Sequence, residues 1–293
     1  MQNLENSVNS KIQQFLIDNN ITIIPNEKIV KLKPHIGEGS FGKVYKGIYN
    51  DSFVAIKKLK LQDIVDSEAI IQEIKGVGKI KHPQIPTFHG VWKTDKNFHL
   101  IFDFIDGDTL TKFIPALSYE EKLYFSIQLV EIIEKLHEEN LIHRDLKPGN
   151  IMIMKGKVYI IDFGVSKIAS HTQTGTKHQS GTIPYMGPEN YKVNTDTSSD
   201  KIINISTKFD IWSIGCILSY LFSKIQPWGD KINETKIIMK LSRGKDFPIP
   251  VDVIPSELVS ILKMCLEIKP ENRISAKDLC VKLKELYEKC EKK

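Results

Sequence analysis

The segment that constrains this chain most is LIHRDLKPGNIMIMKGKVYIIDFG, residues 141–164. Asp145, Lys147 and Asn150 fall within six residues of irregular chain, and Asp162 follows after two short apolar runs joined at Lys155-Gly156. Those runs read as two short strands around a tight turn. The polar residues therefore sit at strand ends, where the backbone can hold them still. Phosphoryl transfer asks for these residue types: a carboxylate to meet a hydroxyl nucleophile, a cation near the developing charge, and hard oxygen ligands for Mg²⁺. Asp145 fits the first role, Lys147 the second, and Asn150 with Asp162 the third. An isolated acidic loop would be an ordinary solvated turn, but here order, spacing and strand context agree.

Upstream, IGEGSFGKVYKG places Gly37, Gly39 and Gly42 in the pattern G-x-G-x-x-G. That pattern serves either a strand-to-helix turn under a pyrophosphate or a strand-turn-strand flap over a triphosphate. The first use requires a helix directly afterwards. Instead KVYKG alternates and runs through NDS into the strand-like FVAIKKL, which makes a hairpin and favours the flap. Ile36, Gly37, Glu38, Gly39, Ser40, Phe41, Gly42 and Val44 form it. Lys57 stands in the middle of the apolar run VAIK. A surface lysine usually snorkels to water; one in this position can instead lie over the phosphates, steadied by a helix carboxylate. Glu73 in QEIKG is the expected partner, and Glu68, one turn into the same helix, is the rival.

Hydrophobic patterning divides the chain. Residues 1–30 form an extension with Ile12, Phe15 and Leu16 at helical spacing, expected to be a packing strap rather than a dimerisation helix or an autoinhibitory cap. Residues 31–104 favour strands, interrupted by one helix in DSEAIIQEIKGVGKI. Residues 105–290 are dominated by helices. One begins at Ser118 with Glu121 three residues on, a capping-box signature. Another, FDIWSIGCILSYLFS, is apolar nearly all round and is expected to be buried. Its apolar stretch is too short to span a bilayer, and MQNLENSVNSKIQQFLIDNN lacks an apolar signal core, so a soluble cytoplasmic protein without a membrane span is expected. Four cysteines without C-x-x-C spacing suit a reducing compartment. The formal charge of +5 tolerates anionic partners without arguing for nucleic acid.

Taken together, these motifs resemble those of a eukaryotic-type protein kinase over roughly residues 32–288. The resemblance implies an α+β, bilobal protein kinase fold, with a small β-rich N-lobe carrying one regulatory helix and a larger, mainly helical C-lobe, forming a single catalytic domain at about residues 31–290. It implies ATP and Mg²⁺, or Mn²⁺, as cofactors and proteins as substrates. Lys57 would pair with Glu73, Asp145 would be the catalytic base, and Asn150 and Asp162 the metal ligands. Phe102 would be the gatekeeper, Asp103, Phe104 and Ile105 the hinge, and Val44, Ala55 and Met152 the adenine sandwich. Asp210 resembles the buried anchor of the catalytic loop, and Glu189 with Arg273 the ion pair that fastens the activation segment.

HRDLKPGN and SGTIPYMGPE resemble the serine/threonine pattern, with Thr182 at the position supporting a hydroxyl acceptor, and the wider set is most similar to the tyrosine-kinase-like branch. Dual specificity stays open. In similar kinases the residue at Arg144 binds a phosphate on the activation loop, so Thr174, Thr176 and Ser180 are candidate sites for an upstream kinase, with Lys167 as a second cation. The residues at 191–208 run longer than is common and are expected to form a surface loop. The alternative is a pseudokinase scaffold; such proteins commonly lack the lysine, the base or a metal position, and here each is present.

Overall fold

Runs of β-branched and aromatic residues in the first third of the chain assemble into a six-stranded sheet, and the longer apolar periodicities that follow become helices. The computed structural model describes residues 2–39, 42–59, 67–78, 80–94, 97–162, 167–168, 181–191, 206–229 and 231–291. The chain divides into two units, residues 1–106 and 107–293.

The first unit contains α1 (Gln2–Asp18), β1 (Ile23–Ile24), β2 (Ile29–Gly39), β3 (Gly42–Tyr49), β4 (Ser52–Lys58), α2 (Ser67–Gly78), β5 (Phe88–Lys93) and β6 (Phe98–Asp103). Strand order is β1-β5-β6-β4-β3-β2, antiparallel except for the parallel pair β1 and β5. Asn50 and Asp51 both adopt positive φ, 47° and 59°, which is the geometry a two-residue hairpin turn requires and explains NDS between β3 and β4. Strand alternation then gives the sheet two apolar faces. Val54, Ile56 and Ile101 join Ile24, Ile29 and Trp92 on one. Phe98 and Leu100 join Ile71 and Ile74 of α2, and Ile12 and Leu16 of α1, on the other.

The N-terminal segment is thus built into this unit. Ile12 and Leu16 lie on one face of α1, a turn apart, and are almost fully buried, each worth about 1.5–3 kcal/mol of transfer free energy. The amide of Val91 donates to the carbonyl of Thr22 at 2.8 Å, and the indole of Trp92 donates to Asn26 Oδ1 at 2.7 Å. Gly90 has φ 142°, and a Cβ there would lie 2.3 Å from the Thr22 carbonyl oxygen, so the approach of the extension requires glycine.

The second unit contains β7 (Asp108–Thr109), α3 (Leu110–Phe113), α4 (Tyr119–Glu138), β8 (Leu141–Ile142), β9 (Ile151–Met154), β10 (Lys157–Ile160), β11 (Lys167–Ile168), α5 (Lys208–Ser223), α6 (Glu234–Ser242), α7 (Ser256–Cys265) and α8 (Ala276–Glu291). The capping box of α4 is formed: Ser118 Oγ accepts from the Glu121 amide at 3.1 Å and the Ser118 amide donates to Glu121 Oε2 at 2.8 Å. Helix α5 is buried over almost its whole length, as its uniform apolarity demands. Strands β9 and β10 close on Lys155 and Gly156, φ 50° and 74°. That hairpin and the pairing of β8 with β11 hold the two ends of residues 143–150. Among the described residues no helix is long and apolar enough to cross a membrane.

Candidate active site

In the first unit, register decides which side chains meet. Val44 pairs with Lys57, Lys57 with Leu100, and Ala55 with Phe102. Residues directly opposite in an antiparallel ladder point to the same side, so Val44, Ala55, Lys57 and Phe102 share the face on which α2 packs Ile71 and Ile74. Lys57 is 6% exposed, far from the usual lysine environment. Glu73 is on α2 beside Ile74, with its side chain outside the described residues.

Asp103 ends β6. Burial raises its carboxyl, but hydrogen bonds from Thr87 (2.9 Å from its amide) and His89 (2.7 Å) outweigh that and leave it below the usual range. The amides of Asp103 and Phe104 donate to Thr87 and Phe53 carbonyls. Ile105 is buried, and its amide has no partner among the described residues.

The glycine flap is the β2–β3 hairpin, with Gly39 opposite Gly42. Its glycines have different reasons. A Cβ on Gly42, φ 136°, would sit 2.0 Å from the Lys58 carbonyl oxygen, so the fold itself demands glycine there. A Cβ on Gly37 would meet nothing within 4 Å. Ile36 is exposed at the edge of this hairpin. Ser40, Phe41 and the side chain of Glu38 lie outside the described residues.

In the second unit, the loop between β8 and β9 is pinned from behind by α5. Asp210, wholly buried, accepts from the amides of His143 and Arg144 and from His137 Nε2, each at 2.9 Å. Burial pushes the Asp210 carboxyl up, yet the bond and charge of His137, the charge of His143 and the Arg144 amide hold it below its ordinary value. These bonds sustain Arg144 at φ 71°, a conformation that costs a non-glycine residue about 1 kcal/mol or more. Sequence reasoning gives His137 no role: a histidine in the last turn of an amphipathic helix carries no pattern of its own, and its partner is 73 residues away.

In front of that anchor lies a closed polar cluster. Asp145 Oδ1 accepts from Thr182 Oγ1 at 2.8 Å, while Oδ2 accepts from Asn150 Nδ2 and forms an ion pair with Lys147 Nζ, both at 3.1 Å. Lys147 also donates to Thr182 Oγ1 at 2.8 Å, so one hydroxyl joins the base candidate to the cation candidate. Asn150 Nδ2 further donates to the Asp145 carbonyl at 2.8 Å. With its nitrogen occupied, Asn150 has its amide oxygen to offer a cation. Asp162, φ 62°, follows β10 in the same unit, and its charge is felt by His143, whose imidazole burial nevertheless holds below its ordinary pKa. Met152 is half-buried on β9, paired with Tyr159 and Thr109.

Among the described residues no three His, Cys, Asp or Glu side chains gather to hold a metal by themselves. Mg²⁺ ordinarily keeps waters and uses one or two carboxylates together with substrate phosphates. An Asn oxygen and an Asp fit that habit.

Arg144 is buried, and its Nε and Nη1 have no partner among the described residues. Burial disfavours its charge, with Asp210 opposing. Unpaired buried donors of this kind fit an anion supplied from elsewhere. Lys167 lies on β11 opposite Ile142, its side chain outside the described residues, as are Thr174, Thr176, Ser180 and residues 192–205. Glu189 receives both Arg273 Nη atoms at 2.7 Å, and the same guanidinium donates to the carbonyls of Lys208 and Glu267.

Residues 30–283 match the protein kinase domain. MAP3K epsilon protein kinase 1 of Arabidopsis thaliana is 30% identical over 258 residues, which cover 85% of this chain and 18% of that protein. Mitogen-activated protein kinase kinase kinase 2 of the same plant is 27% identical over 300 residues, 94% of this chain and 45% of that protein. The probable serine/threonine-protein kinase mkcF of Dictyostelium discoideum is 30% identical over 283 residues, 93% of this chain and 39% of that protein. The chain spans less than half the length of each of these relatives.

Proposed function

The chain belongs to the protein kinase family, and on that premise we propose that it transfers the γ-phosphoryl group of ATP to serine or threonine hydroxyls of protein substrates in a signalling cascade. The observation that carries the proposal is the bridge of Thr182 between Asp145 and Lys147. It orients a carboxylate to receive the acceptor hydroxyl and keeps a cation beside the oxygens on which charge develops. Asp145 is the base, and Lys147 stabilises the transferred group. Lys57, steadied by Glu73, aligns the phosphates under residues 36–44. Val44, Ala55 and Phe102 pack the adenine, and the Ile105 amide donates to it. Asn150 and Asp162 would hold Mg²⁺, which when bound would neutralise phosphate charge. We take the protein to act in the cytoplasm.

A general base contributes on the order of 10²- to 10⁴-fold. Asp145→Asn is therefore expected to lower kcat by at least about 10²-fold while leaving ATP affinity in place. Phosphate incorporation from Mg-ATP into a generic protein acceptor measures the first, and calorimetric titration with ATP the second. Undiminished turnover overturns the assignment. A pseudokinase reading has no observation in its favour.

The Nε and Nη1 of Arg144, without a partner among the described residues, support a second element of the proposal. Phosphorylation of Thr174, Thr176 or Ser180, by this chain or an upstream kinase, supplies about −1.5 to −2 charges to that guanidinium and raises activity. Activity unchanged after all three are replaced by alanine sinks that element.

A further inference from the structure

Helix α6 has one committed face and one that the fold leaves unused. Ile237 and Leu241, one turn apart, are buried, and the helix packs on the 3-10 turn Ile183–Tyr185 that begins directly after Thr182. The indole of Trp228, just before α6 in the chain, donates to the carbonyl of Pro184 at 3.2 Å and ties this region to the same turn. On the outward side Lys236, Lys240 and Arg243 recur at helical spacing, and Lys245 follows in the turn that ends the helix. All four are exposed. With Met239, Asp246 and Pro248 they line an open cavity of about 640 Å³.

Charge is concentrated here. Residues 231–246 hold five Lys or Arg against Glu234 and Asp246, a local excess of three positive charges. Among the described residues none of the four lining cations has a side-chain hydrogen bond or ion pair. Like charges at i and i+4 disfavour a helix, so the fold loses rather than gains by this stripe. The cavity also has apolar walls, from Met239, Pro248 and the methylene stems of the lysines.

We propose that this cavity docks an acidic, partly apolar, extended segment of a protein substrate, held at a distance from the hydroxyl being phosphorylated. The proposal deepens the kinase reading and rests on it, since it names the substrate class. Alternate carboxylates of an extended peptide lie about 6.5–7 Å apart, close to the spacing of about 6 Å between cations one turn apart on a helix. The residues between them can place apolar groups against Met239. Single-stranded nucleic acid is disfavoured because no aromatic side chain lines the cavity as a stacking platform. A membrane surface is disfavoured because the site is concave. Occupation would bear on catalysis through the turn Ile183–Tyr185, which is adjacent in sequence to Thr182.

The test is direct binding without ATP, so that it succeeds or fails independently of phosphoryl transfer. A short fluorescein-labelled peptide with Glu alternating with Leu is titrated by fluorescence anisotropy against the whole chain and against Lys240→Glu/Arg243→Glu. The peptide is expected to bind, to weaken as salt is raised, and to bind the charge-reversed variant about tenfold or more weakly. Thermal melting of both proteins checks the fold. If the variant melts early, Lys236→Gln/Lys245→Gln replaces it, with the same direction of loss expected. Equal binding by variant and parent, equal binding of a peptide with Gln in place of Glu, or tighter binding of single-stranded RNA or anionic vesicles than of the peptide overturns the proposal.

Discussion

Thr182 shows how one hydroxyl can set the geometry of two ionised partners. It donates to Asp145 and accepts from Lys147, both at 2.8 Å, and hydrogen bonds to charged groups are about twice as strong as neutral ones. Thr182→Val keeps the shape and deletes both bonds. On the proposed mechanism, in which the bridge orients the acceptor side of the reaction, we expect kcat to fall by roughly 10- to 10²-fold with KM for ATP nearly unchanged; steady-state kinetics at varied ATP and varied acceptor measure the split. A fall in ATP affinity alone would show that Thr182 acts elsewhere. Asp145, Lys147, Asn150 and Asp162 were legible in the sequence because local spacing alone brings them to one loop and one hairpin. The Thr182 contact spans 37 residues and the His137 contact 73, distances across which spacing carries no geometric information. The glycine pattern was legible as a flap, but not that Gly42 answers to the Lys58 carbonyl while nothing in the described chain occupies the space at Gly37.

At the scale of elements, α1 is part of the packing around α2 rather than an appendage. Leu16 and Ile12 share a core with Ile71 and Ile74, and Lys75 of α2 places its ammonium 5.2 Å from the ring centroid of Phe15. Leu16→Ala is expected to cost about 2–5 kcal/mol of unfolding free energy, read from the urea midpoint at constant slope. A loss under about 0.5 kcal/mol would mean that α1 does not pack as described. The helix itself was legible from Ile12, Phe15 and Leu16 at helical spacing. Its landing place was not, because an amphipathic stripe states that a face is buried without stating against what. The parallel pairing of β1 was equally hidden, since a two-residue strand has no period to read.

For the whole molecule, pH enters through His99. It is stacked on Trp92 with ring centroids 4.4 Å apart, and its pKa is pulled down to about 4, first by burial and then by the charges of Lys31 and Lys58, against a backbone hydrogen bond with Trp92. Because the folded pKa is depressed below the unfolded value, the unfolded chain binds the proton more readily. The neutral ring therefore stabilises the fold fully above pH ~6.5, and this contribution of up to about 3 kcal/mol is lost as pH falls towards 4. Asp210, also held below its ordinary value, acts in the same direction at lower pH. Melting temperature is expected to drop between pH ~6.5 and ~4.5, and His99→Gln to flatten that slope. An unchanged slope in the variant would remove His99 from the account.

The pairing of β1 with β5 has a practical sequel. The matched kinase region begins at residue 30, whereas β1 is Ile23–Ile24 and α1 lies earlier still. A fragment trimmed to that boundary would expose the margin of β5 at Gly90, Val91 and Trp92, and would uncover Ile71 and Ile74 as well. Unprotected sheet margins recruit strands from neighbouring molecules. Such a fragment should therefore be lost to aggregates on expression, and its silence in an assay would reflect a missing seam rather than missing chemistry.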